Sequence, residues 1–212
     1  TKDGIVWVKQ IQDPSSFGVV KLNKEKIITD FVEKPNKFVS DLAIIGVYYF
    51  KSGEYLKEEL QYLLDNNIKD KGEYQLTNAL ENMKNKGTKF SAGEVEEWLD
   101  CGNKEATVFT NQRILEHNRN LNPSKNDFEN TTIIEPCFIA KNVEIINSNI
   151  GPHVSIGSGT TIKNSSIKNS IIQKNSVISN AELRNSMLGS YVKYNGKNQK
   201  QEVSLGDFSE VK

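Results

Sequence analysis

From about Thr131 the chain places a large aliphatic residue every five or six positions: Ile134, Ile139, Ile145, Ile150, Ile156, Ile162, Ile167, Ile172, Ile178, Leu183 and Leu188. A half-buried strand repeats every two residues and a helix every 3.6, so neither produces this spacing. It is the hexapeptide spacing of a parallel β-helix. Every third member falls into a column: Ile134, Ile150, Ile167 and Leu183 form one, Ile139, Ile156, Ile172 and Leu188 another. Each turn of the coil then takes 16 or 17 residues and has three faces. The corners carry Asn-Ser pairs such as 164–165, 169–170 and 185–186, and asparagine and glycine accept the left-handed backbone of a sharp corner. Asn130-Thr131-Thr132 and Asn164-Ser165-Ser166 also fit the glycosylation sequon, but they are read as corner asparagines.

Residues 1 to 122 follow a different grammar. GIVWVKQI, FGVVKL, KIITDFV and LAIIGVYYF are rich in β-branched and aromatic residues and predict strands. Ser52 predicts the cap of a helix whose apolar face runs through Leu56, Leu60, Leu63 and Leu64. A second helix is expected over Glu73 to Lys86, stopped by Gly87, and a third over Lys104 to His117. Alternating strands and helices predict an α/β layer with a largely parallel sheet. The polar stretch NRNLNPSKND serves as a linker, with its boundary set at 123–130, before the coil over 131–212.

Lysine plus arginine balance aspartate plus glutamate at 27 each, which argues against a nucleic-acid or anionic-membrane partner. No apolar run has the length of a membrane span, and no signal peptide is visible. Cys101 and Cys137 form no disulfide framework and suit a reducing cytoplasm. The chain opens on Thr1 and enters a strand almost at once, as expected of a start inside a larger protein.

Three short motifs bear chemistry. In FVEKP, a residue before proline is held extended. Lys34 would then stand at a strand end where an ammonium meets a phosphate, with Glu33 accepting from hydroxyls; a solvated Glu-Lys pair stopped by proline is the structural alternative. In DPSSFGVV, Gly18 interrupts a strand, which means a bulge or a close backbone approach to a ligand. In WLDCG, Asp100 at the mouth of a strand could hold a metal ion, though a lone carboxylate binds one weakly; a buried Trp98 with a turn aspartate is the other account.

In this order and spacing the motifs resemble the sugar-1-phosphate nucleotidyltransferase family. DPSSFGVV is similar to D-P-x-x-[YF]-G-V-V and FVEKP to its E-K-P motif. SDLAIIGVYYF is similar to S-N-x-A-x-x-G-x-Y, GEYQLTN to G-E-x-E-I-T-D and WLDCG to W-x-D-x-G. Many members also carry a left-handed β-helix of hexapeptide repeats. The resemblance implies a partial Rossmann-like α/β nucleotidyltransferase domain followed by that coil. It implies that Gly18 touches the sugar through its backbone, Glu33 holds sugar hydroxyls, Lys34 grips the sugar phosphate and Asp100 is one of two Mg2+ ligands. Asp41, Ile45 and Asn78 depart from the pattern of many thymidylyltransferases, which have Asn, Thr and Asp there. The family's G-x-G-x-R triphosphate loop and second metal aspartate do not occur in the sequence, so roughly a hundred preceding residues are expected, about half a typical domain plus linkers.

The implied reaction joins a nucleoside triphosphate and a sugar-1-phosphate into a nucleotide sugar with release of pyrophosphate. Thymidylyl or uridylyl transfer to glucose-1-phosphate is expected of the whole protein, in the cytoplasm and as a homo-oligomer, with this segment alone inactive. Two other readings remain: a hexapeptide-repeat acyltransferase and a non-catalytic regulatory or assembly subunit. Acyl transfer needs a histidine base, and His153 in IGPHVSIG is read as a solvated corner, His117 as a charge partner at a helix C-terminus.

Overall fold

The computed structural model describes residues 2–118, 128–197 and 199–212, so most of the expected linker, residues 123–127 included, lies outside the described residues. The chain divides into two compact units, Thr1–Trp98 and Leu99–Lys212.

The first unit is one five-stranded sheet with two helices. Its elements are β1 (Gly4–Gln10), β2 (Val19–Leu22), β3 (Ile28–Val32), β4 (Leu42–Phe50), α1 (Gly53–Asp65), α2 (Leu76–Asn85) and β5 (Phe90–Glu94), with sheet order β3-β2-β4-β1-β5. The expectation of a largely parallel sheet fails. Only β1 and β5 pair in parallel, while β1–β4, β2–β3 and β2–β4 are antiparallel. The reason lies in the connections, since parallel neighbours need a long crossover. Between β2 and β3 there is a tight turn instead, in which the Asn23 side chain accepts from the N–H groups of Glu25 and Ile27 and Lys26 turns left-handed. Helices intervene only between β4 and β5. The core gathers Val6, Val8, Val20, Phe31, Leu80, Met83 and Phe90, with Phe31 meeting Phe90 edge-on at 5.5 Å.

Ser52 caps α1 as expected, its hydroxyl accepting from the Tyr55 N–H at 3.2 Å. The inward face differs from the leucine stripe: Leu63 is buried, but Leu60 and Leu64 are exposed and Glu59 points inward, bonded to the Lys86 ammonium at 2.6 Å. Helix α2 starts at Leu76 rather than Glu73, because Asp70 and Glu73 exchange a bridge that ties up the backbone ahead of it. Gly87 follows its end at φ +100°.

The second unit opens with α3 (Lys104–His117). Read from the sequence as closing the first half, this helix packs instead on the coil, burying Val108 and Leu115. Asn111 accepts from the Ser155 hydroxyl at 2.5 Å and donates to the His153 carbonyl at 3.4 Å.

The coil is a parallel β-helix of three five-stranded sheets. One face stacks 137–139, 154–156, 170–172, 187–188 and 204–205 in register. Ile139, Ile145, Ile150, Ile156, Ile162, Ile167, Ile172, Ile178, Leu183 and Leu188 all point inward. Ile134 does not: it is 48% exposed, and Ile133 pairs with Ile150 in its place. The sequence column is therefore displaced by one residue at the first coil. Corner asparagines 147, 164, 169, 180 and 185 are left-handed as expected. Their side chains form ladders from coil to coil, for example Asn147 to Asn164 at 3.4 Å and Asn169 to Asn185 at 2.9 Å.

An aspartate in a closed column has no partner and no water, so Ile156→Asp should lower unfolding stability by about 3–5 kcal/mol. Ile134→Asp should change it by less than about 0.5 kcal/mol, as surface substitutions do. Urea melts that gave equal losses for both would overturn this register.

Candidate active site

Gly18, Glu33 and Lys34 come together in the first unit, where the chain ahead of β2 passes the end of β3. The Lys34 N–H donates to the Phe17 carbonyl at 3.2 Å, and the Ile44 N–H donates to the Gly18 carbonyl at 2.8 Å. These bonds fix Gly18 between two neighbouring segments. Phe17 is held in turn by the edge of Trp98, 5.1 Å between ring centres. The Asp13 carboxylate accepts from the Ser15 N–H, which turns the chain at Pro14; the Ser15 hydroxyl first, then that N–H, hold the carboxyl below its usual range.

Glu33 is the centre of the cluster. Its side chain is only 13% exposed, and one carboxylate oxygen, Oε2, accepts from the Thr77 hydroxyl at 3.0 Å. Thr77 opens α2 and is itself buried. A β-carbon at position 18 would stand 2.9 Å from Glu33 Oε2 and 3.0 Å from Thr77 Cγ2. Gly18 is thus neither a bulge nor solely a surface for a ligand: its missing side chain is the space that the Glu33–Thr77 pair occupies. Burial, followed by the Glu33 charge, raises the Tyr48 phenol above its ordinary value, which keeps it protonated.

Lys34 is not extended, as a residue before proline was expected to be. Its φ is +37°, in the left-handed region that L side chains avoid. Besides its N–H bond to Phe17, its carbonyl accepts from the Lys71 ammonium at 3.1 Å, so both sides of the residue are tied. Such a conformation costs of order 1–3 kcal/mol and persists only where the surroundings over-determine it. The turned backbone leaves the Lys34 ammonium 45% exposed and 4.0 Å from Glu33 Oε1. A cation and a pinned carboxylate therefore sit side by side, one suited to phosphate and the other to hydroxyls.

Thr77 lies in the GEYQLTN segment, yet nothing in its sequence context marks it as the partner of Glu33; nor does Lys71 advertise its bond to Lys34. Of the departures from the family pattern, Asp41 accepts from the Gln10 amide at 2.6 Å.

Asp100 belongs to the second unit. Strand β5 ends at Glu94, so Asp100 stands in a loop ahead of α3 rather than at a strand mouth. Its carboxylate accepts from the Gly102 N–H at 3.1 Å and its carbonyl from the Thr110 hydroxyl at 2.6 Å. No group of three acidic, histidine or cysteine side chains able to hold a metal occurs among the described residues. Mg2+ keeps several waters and needs only one or two carboxylates besides phosphate oxygens, so a single oriented carboxylate fits that ion as one ligand.

His153 does stand at a left-handed corner, φ +65°, but its side chain is not solvated. Its Nε2 lies 3.2 Å from a carboxylate oxygen of Glu116 on α3. The Gln112 amide first, then the Arg113 guanidinium and the His153 ring, hold that carboxyl below its usual range. The His117 ring nitrogen Nε2 lies within hydrogen-bond reach of the Arg113 guanidinium, at 3.2 Å.

Residues 1–117 match the family model described as Nucleotidyl transferase. The chain is 28% identical to a glucose-1-phosphate thymidylyltransferase of Streptomyces antibioticus over 76% of its own length and 44% of that protein. It is also 28% identical to the Bifunctional protein GlmU of Clostridioides difficile, over 98% and 49%, and to a glucose-1-phosphate adenylyltransferase of Clostridium acetobutylicum, over 74% and 46%. The chain spans about half the length of the curated relatives it matches.

Gly18→Ala should cost roughly 1–3 kcal/mol of stability by overpacking against Glu33 and Thr77. Thr77→Val, which keeps the shape and removes the donor, should cost about 1–3 kcal/mol by leaving a buried carboxylate oxygen unpaired. A double-mutant cycle with Glu33→Ala, which removes the acceptor, reads the coupling; additive losses would show that no Glu33–Thr77 bond exists.

Proposed function

The chain belongs to the nucleotidyl transferase family, and from that premise we propose that it supplies the sugar-1-phosphate side of a sugar-1-phosphate nucleotidyltransferase. The observation that carries this reading is Glu33, pinned by Thr77 in the space Gly18 leaves, beside the Lys34 ammonium. Glu33 accepts from sugar hydroxyls, the Gly18 segment offers backbone at close approach, and Lys34 neutralises the sugar phosphate. That phosphate is already an anion at neutral pH, so it attacks the α-phosphorus of the triphosphate without a general base. The residues here act by alignment and charge neutralisation. Asp100 would hold Mg2+, which supplies charge stabilisation on phosphate oxygens when bound.

Glucose-1-phosphate is the proposed sugar, since two relatives of different nucleotide preference share it in their names. The proposed transfer is thymidylyl or uridylyl, in line with the Streptomyces relative. The 212 residues contain no G-x-G-x-R loop, so by themselves they bind sugar phosphate without releasing pyrophosphate. A homo-oligomer is part of the reading: the coil leaves Phe138, Val177, Tyr191 and Phe208 exposed, and its end strands present unpaired edges. A cytoplasmic site agrees with the substrates; no described helix is long and apolar enough to cross a membrane.

Pyrophosphate release by the whole protein carrying this chain tests the reading. Asp100→Ala should lower turnover about a hundredfold or more, whereas Lys34→Ala should raise KM for the sugar phosphate and lower turnover together. Near-parent turnover in Asp100→Ala would remove the metal role. An unchanged KM in Lys34→Ala would remove the phosphate role.

A further inference from the structure

Within the second unit, α3 and one face of the coil enclose a groove with about 580 Å³ of room. Three of its lining residues are cations: Lys168, Arg184 and Lys200. Lys168 and Arg184 face each other on adjacent coils of one parallel ladder, and Lys200 lies on the next coil, opposite Glu182. In a chain whose charges balance overall, this wall holds three cations against one carboxylate, Glu202.

Two of the three nearby carboxylates are bonded elsewhere. Glu202 is bonded to the Lys104 ammonium, and Glu116 to Gln112, Arg113 and His153. Glu182 reaches Arg184 only at 3.7 Å. Among the described residues no carboxylate forms an ion pair with Lys168 or Lys200. Lys168 and Arg184, like charges on adjoining rungs, repel one another, and an anion that bridges them converts that cost into binding.

We infer that this groove is an anion site on the coil that takes a phosphorylated, hydroxyl-bearing small molecule. A planar guanidinium beside the Lys168 ammonium, with Lys200 on the same groove wall, matches phosphate oxygens. The room is that of a site for a whole small molecule rather than a bare ion. Beside Pro152, His153 and the Lys104-bonded Glu202, the remaining wall carries four amides: Gln112, Asn169, Asn185 and Gln201. Amides offer donors and acceptors together, which suits hydroxyls. The lining shares no residue with the Glu33–Lys34 cluster, so this site stands whether or not the sugar-1-phosphate reading does.

Calorimetric titration of the whole chain carrying Lys34→Ala, which removes the first-unit cation, tests the inference with two probes, glucose-1-phosphate and inorganic phosphate. The expected result is one saturable site per chain, tighter for the sugar phosphate. Arg184→Gln and Lys168→Gln should each weaken it about tenfold, as loss of a charge-assisted contact does. Both side chains are exposed, so the unfolding midpoint of each variant should match the parent, which separates lost binding from lost fold. Absence of saturable heat with either probe, or unchanged affinity in the Lys168→Gln/Arg184→Gln double variant, would overturn the site. Equal affinity for the two probes would overturn its hydroxyl-bearing specificity. Pyrophosphate release by Lys34→Ala bears only on the sugar-1-phosphate reading.

Discussion

The coil depends on one constraint: each turn must find its hydrogen bonds on the turn below. Along the flat faces the parallel ladders do this, but at the corners the backbone bends away from any ladder. Buried serines solve the problem. Ser165 donates its hydroxyl to the Lys163 carbonyl at 2.7 Å and accepts from the Ala181 N–H at 3.1 Å one coil on. Ser170 serves Ser186, and Ser186 serves Val203, in the same way. A hydroxyl that both donates and accepts satisfies two backbone groups that burial would otherwise leave unpaired. The preceding asparagine supplies the left-handed backbone and a side-chain rung of its own. The Asn-Ser pair is thus a complete corner in two residues, and the aliphatic columns stack because the corners hold the turn length fixed.

The first unit solves a different problem, that of holding a carboxylate largely out of water. Glu33 would be poorly solvated at its depth without Thr77, and Thr77 could not approach if position 18 carried a β-carbon. The left-handed turn at Lys34 completes the arrangement, tied by Phe17 on one side and Lys71 on the other. DPSSFGVV, FVEKP and GEYQLTN, separate in the chain, are therefore one object in space. Each residue's conformation is set by a partner from another motif.

This division explains what was legible beforehand. The coil repeats, so its aliphatic columns and corner asparagines declare themselves by spacing alone. The single slip, Ile134 for Ile133, falls on the first coil, where no preceding turn fixes the register. Strand and helix positions in the first unit followed from composition, but strand direction did not, because direction is set by what the connections can span. Gly18, Glu33 and Lys34 were found through motifs, while Thr77 and Lys71 were not, since a threonine opening a helix and a surface lysine have no local signature of a distant partner. Lys34 shows the limit of a local rule: proline restricts its predecessor, yet two tertiary hydrogen bonds override that preference.

A repeating frame also changes how charge is arranged. In the first unit the one exposed ammonium beside Glu33 is placed by a costly backbone turn, and its position is specific to that residue. On the coil, residues one turn apart stand in adjacent rungs, so cations at matching places in successive repeats adjoin without any strain in the chain. Lys168 and Arg184 meet in this way, and α3 closes the row from the side through Gln112. The frame that stacks isoleucines inside stacks whatever the outside positions carry. A row of charge on such a surface costs only its own repulsion, and an anion lying along the row removes that cost.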